Sequence, residues 1–229
     1  MAKCVFLRID PWCRIGHCES FLLAGVIAGT IVLAVGVSFL HPRPVLNKSA
    51  PAALPAGGGE LSPKSLYQLS SVWTTDEKKT IPLVEFRGSF QVLAMMFTHC
   101  PAACPMLVKQ IQAMERVMPG NVKDNTRFVL VSIDPERDTP EVLKDYRNRM
   151  GLDQERWTLL RGNANDVREL AATLGFNYGK GGATDFVHTK LVTVLNPEGE
   201  IIHQQPGVGD DPHRIIDAIE KAIRSRARL

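Results

Sequence analysis

The sequence predicts an α/β fold, with one apolar helix placed before a single globular domain. Short apolar runs alternate with segments of helical periodicity, a pattern typical of parallel strands joined by helices. A hairpin signal, Asn196-Pro197-Glu198-Gly199, separates two further apolar runs near the C-terminus. With 229 residues the chain can form one well-packed domain with appendages, and we do not expect a second full domain.

The N-terminal part predicts a membrane anchor. A short tail, residues 1–20, is followed by Phe21 to Leu40, which is uncharged and long enough to cross a bilayer. A cleaved signal peptide is the alternative, but its apolar stretch is usually shorter, and no small-x-small site directly follows Leu40. Residues 41–60 are rich in Pro, Ala and Gly and lack periodicity, so we expect a tether to the domain at residues 61–229.

The same region predicts where the protein is located. Positive residues before the apolar span favour a cytoplasmic N-terminus and therefore place the C-terminal domain outside the cytoplasm. No long presequence rich in Arg and Ser and poor in acidic residues precedes the span, which argues against mitochondrial import. We therefore expect a single-pass protein of a bacterial inner membrane, with its domain in the periplasm.

Three cysteines, Cys4, Cys13 and Cys18, lie in the tail before the span. A metal or lipid site is one interpretation, but these cysteines do not have the spacing of a zinc site. We interpret them as free thiols on the reduced cytoplasmic side of the membrane.

The charge of the domain argues against one class of partner. Acidic and basic residues nearly balance from Leu61 onward, and aromatic residues make up 7% of the chain. No basic stripe is evident, so the sequence does not indicate nucleic-acid binding.

The elements of the domain follow from apolar runs and capping residues. Phe90 to Thr98 and Arg127 to Ile133 are expected to be buried parallel strands, joined by a helix over Pro105 to Met118. The remaining predicted elements are a helix that begins at Thr139-Pro140-Glu141, a strand over Trp157 to Leu160, a helix over Ala164 to Leu174 stopped by Gly175, a hairpin of Leu191 to Leu195 with Glu200 to Gln204, and an amphipathic helix over Asp211 to Arg224.

A cysteine pair, Cys100 and Cys104, directly follows the first of these strands. Pro105 suits the first helical position, so we expect Cys104 to be the cap residue and both thiols to lie at the positive end of the helix. Free amides and the helix dipole there favour the thiolate, which binds soft metals or attacks a disulfide. A structural disulfide or two buried small residues is the alternative, but flanking prolines and the position at a strand end favour a functional pair.

The order of elements is that of the thioredoxin-like fold, with inserted segments. The cysteine pair falls where that fold keeps its redox pair, although the spacing here is Cys-x3-Cys. His188 stands just before the strand Leu191 to Leu195, where ordinary members of the fold have a cis-proline facing the redox pair. Two thiolates and one imidazole from separate loops would form a three-coordinate soft site suited to Cu(I), whereas a structural zinc would require a fourth ligand.

Three segments of the chain resemble the Sco/SenC family: Phe97-Thr98-His99-Cys100-Pro101-Ala102-Ala103-Cys104-Pro105, Asp134 to Pro140, and Asp185-Phe186-Val187-His188. This family comprises membrane-anchored, copper-binding assembly factors for cytochrome c oxidase. The resemblance extends from about Leu66 to Arg224. It implies copper as the bound metal, with the ligands Cys100, Cys104 and His188. It also implies the copper-bearing subunit of the oxidase as the partner, and other copper carriers are further candidates.

Two other activities compete with copper delivery. A thiol-disulfide oxidoreductase that keeps the copper-ligand cysteines of the oxidase reduced would use the same cysteine pair, but it gives no reason for His188. A peroxiredoxin-type peroxidase would have Thr three residues before the reactive cysteine, whereas Thr98 lies two residues before Cys100. We therefore favour a metallochaperone over an enzyme.

Polar residues near the cysteines have simpler interpretations. His99 could be an extra ligand or transfer protons, but we expect it to be an exposed loop residue. Asp134, Glu136 and Asp138 could form a carboxylate site, but we interpret this segment as a strand-ending loop followed by a helix cap.

Overall fold

The computed structural model of the protein describes residues 60–180, 186–209 and 211–228, and the side chains of residues 180 and 186–188 lie outside this description. The predicted tail, the apolar span from Phe21 to Leu40 and almost all of the tether also lie outside the described residues. Within the described ranges, no helix is long and apolar enough to cross a membrane.

Strands and helices alternate along most of the described chain. They are β1 (Val72–Thr75), β2 (Thr80–Pro82), β3 (Phe90–Met96), α1 (Ala103–Val117), α2 (Gly120–Asp124), β4 (Thr126–Ser132), α3 (Pro140–Met150), β5 (Trp157–Arg161), α4 (Ala164–Leu174), β6 (Tyr178–Lys180), β7 (Phe186–His188), β8 (Leu191–Leu195), β9 (Ile201–Pro206) and α5 (His213–Arg226). Two short 3-10 helices, Leu66–Gln68 and Leu83–Phe86, lie on either side of the first hairpin.

A seven-stranded mixed sheet with the order β2-β1-β5-β4-β3-β8-β9 forms the centre of the domain. Strands β3, β4 and β5 are parallel, whereas β8 is antiparallel to both β3 and β9. The predicted β-α-β unit and the C-terminal hairpin are therefore confirmed. A parallel pair followed by an antiparallel hairpin and a closing helix is the arrangement expected of a thioredoxin-like core.

Strand β3 lies inside the sheet, and all seven of its residues are buried. The core continues on both faces of the sheet, where for example the rings of Phe128 and Trp157 stack with centroids 4.6 Å apart. One glycine is required by this packing, since a Cβ atom at Gly162 would lie 2.7 Å from the Trp73 ring. Because the described elements share one continuous core, we expect the fragment of residues 61–229 to fold independently.

The sheet brings two loops to one edge. Met96 at the end of β3 pairs with Ser132 at the end of β4 in a parallel register. The loop with the cysteines follows β3, and the loop that begins at Asp134 follows β4, so both loops leave the sheet side by side. This carboxyl edge is where open α/β sheets usually place ligand sites.

Several predicted helix ends are confirmed by their caps. The Thr139 hydroxyl accepts a hydrogen bond from the Val142 amide and caps α3, as expected for a strand-ending loop followed by a helix. Gly175 ends α4 with a positive φ of 67°. Helix α1, however, begins at Ala103 and not at Pro105, and the residue at its N-cap is Ala102. The prediction that Cys104 caps this helix is therefore wrong, and Cys104 lies within the first turn.

Candidate metal centre

The two cysteines of the pair come together at the carboxyl edge of the sheet. Cys100 lies in the loop after β3 with 8% of its surface exposed, and Cys104 lies in the first turn of α1 and is fully buried. The Cys104 amide donates a hydrogen bond to the Cys100 sulfur over 3.3 Å. Both cysteines are free thiols. The structure therefore places one soft donor on the loop after β3 and the other in the first turn of α1, at the strand-to-helix turn that the sequence predicts.

The buried position of Cys104 changes its acidity in the direction opposite to the prediction. Burial raises the pKa of Cys104 to about 12, and the neighbouring Cys100 and the Asp138 charge act in the same direction. A hydrogen bond with the Phe97 backbone lowers this pKa but does not offset the desolvation. At neutral pH the Cys104 side chain is therefore a neutral thiol, and a bound cation would have to displace its proton.

Asp138 anchors the loop that carries the cysteines. Its fully buried carboxylate accepts hydrogen bonds from the Thr98 amide (3.2 Å), the Thr98 hydroxyl (2.5 Å) and the Ser132 hydroxyl (2.5 Å). Ser132 in turn accepts a hydrogen bond from the Asp134 amide over 3.0 Å. This network joins the loop after β3 to the loop after β4 and fixes the chain two residues before Cys100. Sequence reasoning missed it, although Asp138 lies in one of the segments that carry the family resemblance.

His99 and two of the nearby carboxylates form a cluster, but their interactions indicate a structural role. The ligand atoms of His99, Asp134 and Asp138 lie within 4.8 Å of one another. Asp134 is paired with Arg137, however, and Asp138 is occupied by Thr98 and Ser132. Glu136 is exposed, so the proposed three-carboxylate site does not form.

The expected position of His99 is confirmed. Its side chain is 51% exposed, and Nδ1 lies 3.1 Å from the Thr98 hydroxyl and 3.7 Å from an Asp138 oxygen. His99 is therefore an exposed loop residue held on one side by the anchored Thr98.

The backbone at His188 lies at the same end of the sheet as the cysteines. In the antiparallel register, Ala94 of β3 pairs with Val192 of β8, so the residues just before β8 are level with those just after β3. His188 ends β7 and pairs with Tyr178 of β6. Its side chain lies outside the described part of the structure, so its role as the third ligand remains a prediction.

Comparison with known proteins agrees with the fold and with the segments around the site. The model of the SCO1/SenC family matches residues 67–224. The chain belongs to the SCO1/SenC family. The resemblance seen in the sequence is thereby confirmed for most of the domain.

Relatives within the SCO1/SenC family come from bacteria and eukaryotes. The SCO1 protein homolog of Bacillus subtilis (strain 168) is 22% identical over 177 residues, which cover 76% of this chain and 90% of that protein. The mitochondrial SCO1 homolog of Homo sapiens is 28% identical over 134 residues, which cover 56% of this chain but only 43% of the human protein. The crystal structure of Arabidopsis thaliana ScoI with copper bound superposes with a TM-score of 0.60 at 23% identity, covering 68% of this chain and 96% of the plant chain. The fold is therefore shared across distant SCO1/SenC members.

Proposed function

We propose that this SCO1/SenC protein is a membrane-anchored copper chaperone. It binds Cu(I) through Cys100, Cys104 and His188 and supplies the metal to the binuclear copper centre of cytochrome c oxidase. The observation that carries the proposal is the buried pair of free thiols, Cys100 and Cys104, at the carboxyl edge of the sheet. The copper bound in the plant relative supports it. The copper-bearing subunit of the oxidase is the proposed recipient, and other copper carriers are proposed donors.

The chemistry of the pair suits transient binding of Cu(I). Thiolate sulfur is the soft donor that Cu(I) prefers, and Cu(I) accepts low coordination numbers. The Cys104 thiol is neutral without metal because of its burial, so binding releases a proton and replaces it with a cation. His188 would complete a set of three ligands from two loops.

Thiol-disulfide exchange is the weaker candidate. The two cysteines are close enough in sequence and space to be oxidised together, but exchange requires a thiolate as the attacking group. Burial keeps Cys104 protonated at neutral pH, so Cys100 would have to be the attacking thiolate. Exchange also gives no function to His188.

Cells in which His188 is replaced by Ala test the proposed function. His188→Ala removes an imidazole ligand and leaves the dithiol intact, so oxidase activity should fall at low copper and recover with added copper. Loss of a thiol reductant would respond to small-molecule thiols. Cytochrome c oxidase activity in membranes, measured across a series of copper concentrations, reports the result.

A matched control is His203→Ala, since His203 lies on β9 and contacts Gln205. This variant should support normal oxidase assembly. If His188→Ala also supports normal assembly at low copper, while Cys100→Ser does not, copper delivery is wrong and thiol exchange replaces it.

We also propose that Phe21 to Leu40 anchors the protein in a bacterial inner membrane, with the domain in the periplasm. The full chain should stay in the membrane pellet after carbonate extraction, because an integral helix is not released by high pH. A reporter fused after Leu229 should be active only outside the cytoplasm. Recovery of a shortened, freely soluble protein would instead indicate a cleaved signal peptide.

A further inference from the structure

The end of the domain opposite the cysteines is the amino edge of the sheet, where β3 and β4 begin. The turn between β8 and β9 lies at this edge, because β8 is antiparallel to β3 and ends beside its start. The chain enters the domain there, since the Leu66 amide donates a hydrogen bond to the Gly199 carbonyl of this turn over 2.9 Å. Helix α5 ends there as well, because Arg226 in its last turn is paired with Glu198 over 2.5 Å and the helix packs against α2. The entering segment and the end of α5 therefore lie at the same edge.

Positive charge collects at this edge. From Lys221 to Arg228 the chain contains four basic residues and no acidic one. Two of them, Arg224 and Arg226, are paired with acidic residues of the domain. Among the residues that the structure describes, no salt bridge engages Lys221 or Arg228, and both are exposed. Lys64, in the segment that enters the domain, is a further exposed cation. The amino edge therefore has cations that the domain itself does not neutralise.

Exposed apolar side chains accompany these cations. Val117 is the last residue of α1 and is 54% exposed, and Ile201 is the first residue of β9 and is 37% exposed. Both lie at the amino edge, because α1 runs back from the carboxyl edge and β9 begins after the turn from β8. Cations beside exposed apolar groups are typical of proteins that bind an anionic membrane surface, where the cations attract headgroups and the apolar groups enter the interface.

We propose that the amino edge of the domain binds anionic phospholipid headgroups on the surface of the bilayer that holds the anchor. The binding surface consists of Lys64, Val117, Ile201, Lys221, Arg224 and Arg228. This inference rests on the proposed function, whose anchor keeps the domain close to a bilayer. Tethering raises the effective concentration of the domain at the surface to about the millimolar range, so a few unpaired cations are sufficient.

This binding determines where the cysteine pair lies. Strand β3 has seven residues and joins the amino edge to the loop with Cys100, so the two ends of the sheet are roughly 20 Å apart. A domain bound through its amino edge therefore holds the cysteine pair away from the bilayer, where a partner protein can reach it.

Vesicle binding by the metal-free fragment of residues 61–229 tests the inference. The fragment should co-sediment at low ionic strength with vesicles of equal parts phosphatidylglycerol and phosphatidylcholine, but not with vesicles of phosphatidylcholine alone. About 1 M NaCl should release it, since the Debye length is then only about 3 Å. The double variant Lys221→Gln/Arg228→Gln should bind about tenfold more weakly, because each cation near an anionic surface adds its own attraction.

The matched control is the double variant Lys190→Gln/Arg214→Gln. It removes the same charge from two exposed residues at the other end of the domain, since Lys190 precedes β8 and Arg214 lies in the first turn of α5. This control should bind as the wild type does. Equal losses in the two double variants would reduce the effect to net charge and overturn the inference. Wild-type binding by Lys221→Gln/Arg228→Gln would also overturn it and would leave an acidic protein surface as the partner of these cations.

The orientation of the bound domain is tested with a tryptophan at either edge. Val117→Trp should be quenched by lipids with brominated acyl chains, because its indole enters the interface. Met106→Trp should not be quenched, since Met106 is equally exposed, at 53%, but lies in the first turn of α1 beside Cys104. The native Trp73 and Trp157 are fully buried and give the same background in both variants. Equal quenching of the two variants would contradict binding through the amino edge.

These measurements are independent of the proposed function, because the fragment contains neither the anchor nor bound metal. If the fragment takes up no Cu(I), or if the full chain is recovered as a freely soluble form, the proposed function fails while the vesicle assay still reports on the amino edge. If the fragment does not bind phosphatidylglycerol vesicles at low ionic strength, this inference is wrong whatever the copper content.

Discussion

The variant Cys104→Ser is expected to lose tight Cu(I) binding. In the fragment of residues 61–229, Cys100 and Cys104 are the only sulfur donors apart from methionine, and they lie together at the carboxyl edge of the sheet. A serine hydroxyl is a hard ligand that stays protonated at neutral pH, so the variant keeps only one thiolate. Metal analysis after incubation with Cu(I) and removal of excess metal by a chelator should show about one copper per wild-type chain, and essentially none in the variant.

Two further variants test the contributions of the other two proposed ligands. Cys100→Ser should behave like Cys104→Ser, because either change leaves a single sulfur. His188→Ala should weaken binding less, since both sulfurs remain. Circular dichroism and thermal unfolding establish that each variant is folded before its copper content is compared. Stoichiometric Cu(I) retained by Cys104→Ser against the chelator would exclude the proposed centre.

The variant Asp138→Ala is expected to destabilise the domain by about 3 kcal/mol. The buried carboxylate accepts three hydrogen bonds, and its removal leaves the Thr98 amide and the Ser132 hydroxyl without their acceptor. The loop that carries Cys100 would also lose its attachment to the end of β4, so the affinity for Cu(I) should fall as well. Chemical denaturation of the metal-free fragment should show a lower midpoint with an unchanged m-value.

Asp124→Ala is the matched control for this change. Asp124 is 57% exposed and pairs with Arg156 over 3.3 Å, so the solvent screens the interaction. Its loss should change the free energy of unfolding by no more than about 0.5 kcal/mol and leave copper binding intact. Equal effects of the two substitutions would mean that the network around Asp138 does not stabilise the site.

The parts of the fold that could be predicted from the sequence are those with a local signal. All residues of β3 are buried, so the strand is mostly apolar and the apolar run from Phe90 predicts it. The turn residues Asn196 to Gly199 predict the β8–β9 hairpin. Thr139 and Gly175 mark helix ends because each residue caps the helix turn next to it, Thr139 through a side-chain hydrogen bond and Gly175 through its left-handed backbone. By contrast, β1 and β2 have only four and three residues, too few to give a clear period.

In the candidate site, too, only the features with a local sequence signal could be predicted. Its cysteines could be found from their spacing and from the strand before them, but the start of α1 could not. Ala102 at the N-cap offers no side-chain signal, and proline is also accepted elsewhere in the first turn, where the amides have no helical partner. The acidity of Cys104 depends on burial by residues distant in sequence. The role of Asp138 likewise arises from contacts between the loops after β3 and β4, which no local pattern encodes.

The unequal exposure of the two cysteines implies an order in which an incoming ligand can reach them. Cys100 lies on the loop after β3, retains 8% exposure and accepts a hydrogen bond from the Cys104 amide at its sulfur, whereas Cys104, in the first turn of α1, is fully buried. A thiol on another protein therefore reaches Cys100 first. Transfer of a bound ion by ligand exchange would therefore begin at Cys100 and end with release from Cys104. The receiving protein would coordinate the ion before this chain releases it.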